Sequence, residues 1–222
     1  MMVAIDIDGT ITKADRKIDI HAIKAIERLE SNSIPVILAT GNVMCFAETV
    51  SVLLGTTGPL IAENGGIVRI GKEYLYLSEP SLSKKAFEYL KKIVGAEIVD
   101  THKLRETEVA IRRNLEVKRV RELLRNFDVN VVDTGYAIHI HDKRVNKGIA
   151  LRKISEKIGL QRENLFAIGD HENDIEMLEY AGTSFALANS DEKLKRIATF
   201  CTKGAYGKGV LEAAEIILNI VG

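Results

Sequence analysis

Val3-Ala4-Ile5-Asp6-Ile7-Asp8-Gly9-Thr10 begins as a short apolar run and stops at two acids and a glycine. Val3–Ile7 reads as a buried strand, so Asp6 and Asp8, two residues apart, point the same way while Ile7 points into the core. In open parallel sheets ligands bind at the carboxyl ends of strands, which is where this pair falls. One carboxylate there can attack phosphorus as a nucleophile, and its neighbour can pass a proton to the leaving oxygen. Gly9 lets the chain turn sharply and bring backbone N–H groups to an anion. Taken alone, the same residues also suit a helix-capping Asp beside a solvated one.

Outward from this strand, short apolar runs alternate with amphipathic helical stretches, the pattern of a parallel sheet covered by helices. Ile23, Ile26 and Leu29 recur at helical spacing, Pro35–Ala39 reads as a second strand, Asn42–Leu54 as a helix and Leu60–Ala62 as a third strand. Gly65-Gly66 precedes Ile67–Ile70, and Gly71-Lys72 turns that strand into Tyr74–Leu77. Beyond Glu79-Pro80 a helix with Ala86, Leu90 and Ile93 leads into shorter, more polar strands. Strand-helix alternation resumes with the helix bearing Leu151 and Ile154, strand Leu165–Ile168, a helix from about Glu172, strand Ser184–Leu187 and helix Gly209–Ile220. The expected fold is α/β: a Rossmann-like parallel sheet with helices on both faces over residues 1–79 and 146–222. An inserted α+β domain occupies 80–145.

Two more strand ends and one helix start carry polar residues of interest. Ala39-Thr40-Gly41-Asn42 offers a hydroxyl and backbone amides ahead of a helix, a natural phosphate site or simply a Thr cap. Gly169-Asp170-His171-Glu172-Asn173-Asp174 puts Asp170 at a strand tip and Asp174 one helical turn later. With Asp6 they make an oxygen cage of the kind Mg²⁺ prefers, although acids at a helix start also answer the macrodipole. Lys147, in Asn146-Lys147-Gly148, begins a core helix; a single lysine is otherwise a surface charge.

In order and spacing these four segments resemble the haloacid dehalogenase superfamily of phosphotransferases. Its motifs are a DxDGT loop, a Thr/Ser after the second strand, a Lys, and an acidic GDxxND segment. The insert between the second and third motifs is similar to the class II cap of type IIB, expected here as a small αββαββ unit. The subfamily so resembled contains the archaeal phosphoglycolate phosphatases. The resemblance implies a hydrolase that cleaves a phosphomonoester, 2-phosphoglycolate first among candidates, through an aspartyl-phosphate. A sugar-phosphate phosphatase, a phosphohexomutase and a non-catalytic phospho-switch are the alternatives. It implies Asp6 as nucleophile and Asp8 as acid and base. Mg²⁺ would be held by Asp6, the Asp8 backbone carbonyl, Asp170 and Asp174, the last directly or through water. Thr40, Gly41, Asn42, Lys147 and Asn173 would hold the phosphoryl group. His171 replaces the family's Ser and receives no role.

Cap alternation gives one further expectation. Val109, Ile111, Ile138 and Ile140 face the cap helices, leaving Glu108, Arg112, His139 and His141 on the open face. Arg112 or a histidine there could bind a substrate carboxylate.

Composition narrows the partners. The 222 residues carry 31 Lys+Arg against 31 Asp+Glu and are 46% hydrophobic, a balance that fits a core-forming protein and lacks the clustered basic excess of a nucleic-acid binder. No run of about 18 apolar residues supports a membrane span, and the start has no basic n-region of a signal peptide. Cys45 and Cys201 lack metal-ligand spacing and read as two buried free thiols in a reducing cytoplasm. The expected partner is a small phosphorylated metabolite, with neither nucleic acid nor membrane; the chain is compatible with a homodimer.

Overall fold

A computed structural model describes residues 1–222. The first half runs β1 (Met2–Asp6), α1 (Ile20–Ser31), β2 (Val36–Ala39), α2 (Met44–Leu54), β3 (Leu60–Ala62), β4 (Ile67–Ile70) and β5 (Glu73–Tyr76). The middle adds α3 (Ser81–Val94), β6 (Val109–Ile111), α4 (Val117–Leu123), β7 (Val129–Asp133) and β8 (Ile138–Asp142). The chain ends with α5 (Lys147–Ile158), β9 (Leu165–Gly169), α6 (Ile175–Tyr180), β10 (Thr183–Ala186), α7 (Glu192–Ile197), β11 (Phe200–Cys201) and α8 (Tyr206–Val221).

Eight strands form one sheet in the order β11-β10-β9-β1-β2-β3-β4-β5. Those from β11 to β3 are parallel, and β4 and β5 return antiparallel. From β1 the chain builds outward through β2 and β3, then through β9, β10 and β11 on the other side. The reversal opens a crevice at the carboxyl end of β1. Strands buried on both faces are apolar throughout, and Val3, Ala4 and Ile5 are all inaccessible. Val3 and Ile5 pack with Ile26, Leu29, Val210 and Ile217 from α1 and α8, while Ala4 packs with Leu151, Ile154 and Met177 from α5 and α6. Each such Ile or Leu contributes roughly 1.5–3 kcal/mol relative to an exposed one.

Local chemistry trims several expected boundaries. Ile7 does not extend β1: it starts a wide turn over Ile7–Ile11 in which Gly9 has φ +93°. Only glycine adopts that conformation without strain, and the Asp170 carboxylate fills the space a Cβ would need. Helix α2 begins at Met44 rather than Asn42, because the Thr40 hydroxyl accepts from Asn42 N–H at 2.9 Å and Asn42 Oδ1 accepts from Val43 N–H at 3.0 Å. These local bonds hold the segment out of the helix.

Residues of the insert form a separate three-stranded antiparallel sheet, β6-β8-β7, rather than the four strands of an αββαββ unit. Where the missing strand would lie, α3 ends at left-handed Gly95 and Asp100–Leu104 fold into a 3₁₀ turn. A single bridge, Ile98 to Ile111, is all that pairs. Val109, Ile111, Ile138 and Ile140 pack against Ala86 and Leu90 of α3 and Val120 of α4, so the alternation across β6 and β8 runs as expected.

The two sheets meet at Glu63-Asn64-Gly65-Gly66. Glu63 is inaccessible, and its carboxylate accepts from the N–H of Glu106 and Thr107 and from the Thr107 hydroxyl at 2.7–3.1 Å. Gly65, at φ +98°, abuts the Asn146 carbonyl, and Gly66 abuts the Thr107 side chain. The carbonyl of Gly66 accepts from Leu77 N–H at 2.8 Å. The chain therefore leaves for the small sheet and returns from it at one place.

Cys45 and Cys201 are free but exposed, not buried. Cys45 lies in the first turn of α2 and Cys201 on β11, the two-residue strand at the sheet edge. No helix is long and apolar enough to cross a membrane.

Candidate active site

Register brings the strand-end acids together. Ile5 pairs with Ile168 across β1 and β9, which sets Asp6 beside Gly169 and leaves Asp170 just past the tip of β9. Asp174 closes the 3₁₀ turn that follows, its Oδ2 accepting from the N–H of Asp170 and His171 at 3.1 and 3.2 Å. Carboxylate oxygens of Asp6, Asp170 and Asp174 then lie within 4.8 Å of one another.

Lys147 is the first residue of α5, whose N-cap Asn146 accepts from Ile149 N–H at 2.8 Å. Its stem runs through the core, and its Nζ donates to Asp6 Oδ1 at 2.5 Å and Asp174 Oδ1 at 2.6 Å. The residue is 1% exposed, the opposite of a surface charge. Burial opposes the ammonium charge, yet Asp174 and Asp6 together hold its pKa above the ordinary lysine value. On the other side of the balance, burial and then Asp174 push the Asp6 pKa well up against the pull of Lys147. Burial and Asp174 likewise raise Asp170 to about 7.

One lysine does not satisfy three carboxylates. Asp6 Oδ2 is buried and has no hydrogen-bond partner, which for a buried acceptor costs roughly 1–3 kcal/mol. A hard divalent cation answers the crowding of the three carboxylates, since it takes oxygen ligands and supplies the positive charge that they lack. The donor set fits such an ion.

Around this centre the remaining expected residues divide into two groups. Asp6, Asp8, Gly41, Asn42, Asp170 and Asn173 line a cleft of about 510 Å³ between the two sheets. Thr40, Lys147 and Asp174 are buried, tied to that lining by hydrogen bonds: the Thr40 hydroxyl donates to Asp8 Oδ2 at 3.1 Å, and Lys147 bridges as described. Asn173 Nδ2 donates to Asn64 Oδ1 at 3.3 Å. A neighbouring cleft of about 410 Å³, bordered by Phe127, Val131, His141 and Glu176, is not lined by Asp6, Asp8, Asp170 or Asp174.

Other residues of the site escaped the sequence reading. The Thr10 hydroxyl donates to Asp170 Oδ1 at 2.9 Å, and Asn189 Nδ2 bridges the Gly9 carbonyl at 2.9 Å and Asp170 Oδ2 at 3.1 Å. Asn189 follows β10, so the strand-end rule applied to one more strand finds it. Arg16 approaches Asp8 Oδ1 at 3.6 Å while lying 4.3 Å over the Tyr136 ring.

On the insert side the arginine expectation is corrected. Arg112 lies past the end of β6, exposed, where it pairs with Asp100 at 2.8 Å and Glu97 at 3.6 Å and does not border the cleft. Arg105 borders it instead. Its side chain is 4% exposed and binds Glu108, and its Nη1 donates to the Gly41 carbonyl at 3.0 Å. Glu108 is inaccessible apart from 1% and also receives His139 Nδ1 at 2.7 Å and Asn64 Nδ2 at 2.9 Å. His139 lines the cleft, whereas His141, buried beside it, has its pKa lowered by burial.

Burial opposes ionisation of Glu108, but His139 and then Arg105 outweigh it and bring the pKa down to about 2. A depressed carboxyl pKa stabilises the fold above the unfolded value of about 4.5, and the gain is lost as pH falls through about 2. The shift corresponds to about 3 kcal/mol. Glu108→Gln is therefore expected to lower unfolding free energy at pH 7 by about that amount and to flatten its slope between pH 4.5 and 2. Urea titrations across that range check it, and acid limbs that superimpose on the wild type contradict it.

The family model for haloacid dehalogenase-like hydrolases matches residues 3–132 and 98–213. The chain is 44% identical over 213 residues to the phosphoglycolate phosphatase of Methanothermobacter thermautotrophicus, covering 96% of each chain. It is 45% identical to the phosphoglycolate phosphatase of Methanosarcina acetivorans, covering 97% of this chain and 95% of that one. Among solved structures, a Thermoplasma acidophilum protein superposes with a TM-score of 0.91 at 26% identity, covering 98% and 97%. A sugar phosphatase of HAD subclass IIB superposes at 0.79 with 19% identity over 97% and 98%, a likeness of fold.

Proposed function

Because the chain belongs to the haloacid dehalogenase-like hydrolase family, we propose that its cleft hydrolyses 2-phosphoglycolate to glycolate and phosphate with Mg²⁺ as the divalent ion. The observation that carries this reading is the buried, unpartnered Oδ2 of Asp6 at the bottom of a cleft, beside full-length similarity to phosphatases of that name.

Asp6 is the nucleophile: Lys147 fixes its Oδ1, leaving Oδ2 free to form the bond to phosphorus as the ester oxygen departs. Asp8 delivers the proton to that oxygen and then withdraws one from the water that frees phosphate; the Thr40 hydroxyl orients its carboxylate. The ion would be held by Asp6, the Asp8 backbone carbonyl, Asp170 and Asp174, and when bound it neutralises charge on the phosphoryl oxygens. Lys147, Thr40, the Gly41-Asn42 backbone and Asn173 complete that neutralisation, the main demand of phosphoryl transfer.

Residues 1–79 and 146–222 act as the core that performs the chemistry, and residues 80–145 as the cap over it. The cytoplasm is the compartment this reading gives the protein, as the place where small phosphorylated metabolites circulate.

Phosphate release from 2-phosphoglycolate, hexose phosphates and p-nitrophenyl phosphate, each with Mg²⁺ and with EDTA, tests the proposal. The expected result is a kcat/KM for 2-phosphoglycolate at least about tenfold above the others, abolished by EDTA and restored by Mg²⁺. A hexose phosphate turned over faster, or isomerised, would overturn the substrate assignment.

A further inference from the structure

Arg105 is the one guanidinium of the insert that is buried and borders the cleft with Asp6. Its hydrogen bonds are one-sided. Nη1 serves both the Gly41 carbonyl and Glu108 Oε1, whereas Nε is buried without any acceptor and Nη2 has no protein partner. Nε–H and Nη2–H share one edge of the planar group, the edge that receives a carboxylate through two parallel hydrogen bonds. A buried N–H lacking an acceptor is costly, which makes the idle edge a sign of a ligand not belonging to the protein.

The edge also lies at a useful place. Arg105 is held to Gly41, the residue after Thr40, and Thr40 is bonded to Asp8. In 2-phosphoglycolate only a methylene separates the ester oxygen from the carboxyl carbon, so while the intact ester has its phosphoryl group against Asp6 the carboxylate stays in the cleft that Gly41, Asn42 and Arg105 also line. We infer that Arg105 is the specificity-determining residue, taking the substrate's carboxylate on its Nε/Nη2 edge. Glu108, itself fixed by His139 and Asn64, and the Gly41 carbonyl hold the guanidinium in position. This inference rests on the substrate reading above and extends it to the residue that recognises the acid.

The discriminating measurement compares 2-phosphoglycolate with 2-hydroxyethyl phosphate, which matches it in size but has no carboxylate. Two charged hydrogen bonds lost in Arg105→Ala should lower the ratio of the two kcat/KM values about 100-fold. Arg105→Lys keeps the charge beside Glu108 but lacks the fork, and should lower the ratio about tenfold with a thermal midpoint close to wild type. Added guanidinium ion should recover part of the 2-phosphoglycolate activity of Arg105→Ala. Equal losses on both esters in the folded Lys variant would overturn the role of Arg105. A wild-type enzyme that hydrolyses 2-hydroxyethyl phosphate as well as 2-phosphoglycolate would instead overturn the substrate reading.

Discussion

Asp6→Asn is expected to lower turnover by at least about 10⁴-fold on every phosphomonoester while leaving the protein folded. Oδ1 of an asparagine still accepts from Lys147, so the contact at 2.5 Å survives the exchange. What disappears is the free carboxylate oxygen, since an amide nitrogen at the Oδ2 position has no electron pair to offer phosphorus. The substitution also removes a carboxylate whose pKa is pushed up by burial, Asp174 and Asp170, so the melting temperature should not fall. Acid-quenched wild-type enzyme given labelled substrate should retain label on the chain, and the variant should retain none. Turnover within 100-fold of wild type would show that another group attacks phosphorus.

Lys147→Met carries the largest expected effect on stability. It leaves Asp6 and Asp174, 3% and 0% exposed, without the cation that lies between them. Breaking a buried ion pair by removing one partner costs about 3–5 kcal/mol because the remaining charges stay desolvated. Protonation relieves that cost, and Asp6 already titrates above the normal carboxyl range. The loss should therefore be larger at pH 8 than at pH 5. Saturating Mg²⁺ should restore part of the midpoint without restoring activity. Denaturant midpoints at the two pH values, with and without the ion, give the comparison; a variant as stable as wild type at pH 8 contradicts the arrangement.

These two residues also show how far the sequence was readable. Asp6 was legible because a buried apolar strand that stops at acids presents them at the carboxyl end of a parallel sheet. Lys147 was legible only through resemblance: a lone lysine at a helix start carries no periodic signal, and its partners lie 141 and 27 residues away. Arg112 was misplaced for a definite reason. Alternation assigns faces only while a ladder lasts, and β6 ends at Ile111. Arg105 follows a 3₁₀ turn whose residues obey neither the strand nor the helix period, so nothing local pointed it at the cleft. Glu63 and Asn64 have positive φ, and no pattern of hydrophobicity reports a backbone turned that way to present buried side chains. The lack of metal-ligand spacing that marks Cys45 and Cys201 as free thiols says nothing about burial, which a helix start and an edge strand deny them.

The Gly65-Gly66 junction has a bearing on modularity. Both crossings between the two sheets pass this dipeptide, one against the Leu77 amide and the other against the Asn146 carbonyl. A segment whose two ends meet at one point behaves as a cassette. Replacing residues 80–145 by another insert with ends of like spacing is expected to leave β1, β9 and Lys147 in place, which the melting temperature of such a chimera checks. On the reading proposed above, recognition, with Arg105, and chemistry, with Asp6, lie on separate stretches of sequence. A Gly65 replacement bearing a side chain would press against the Asn146 carbonyl at that meeting point.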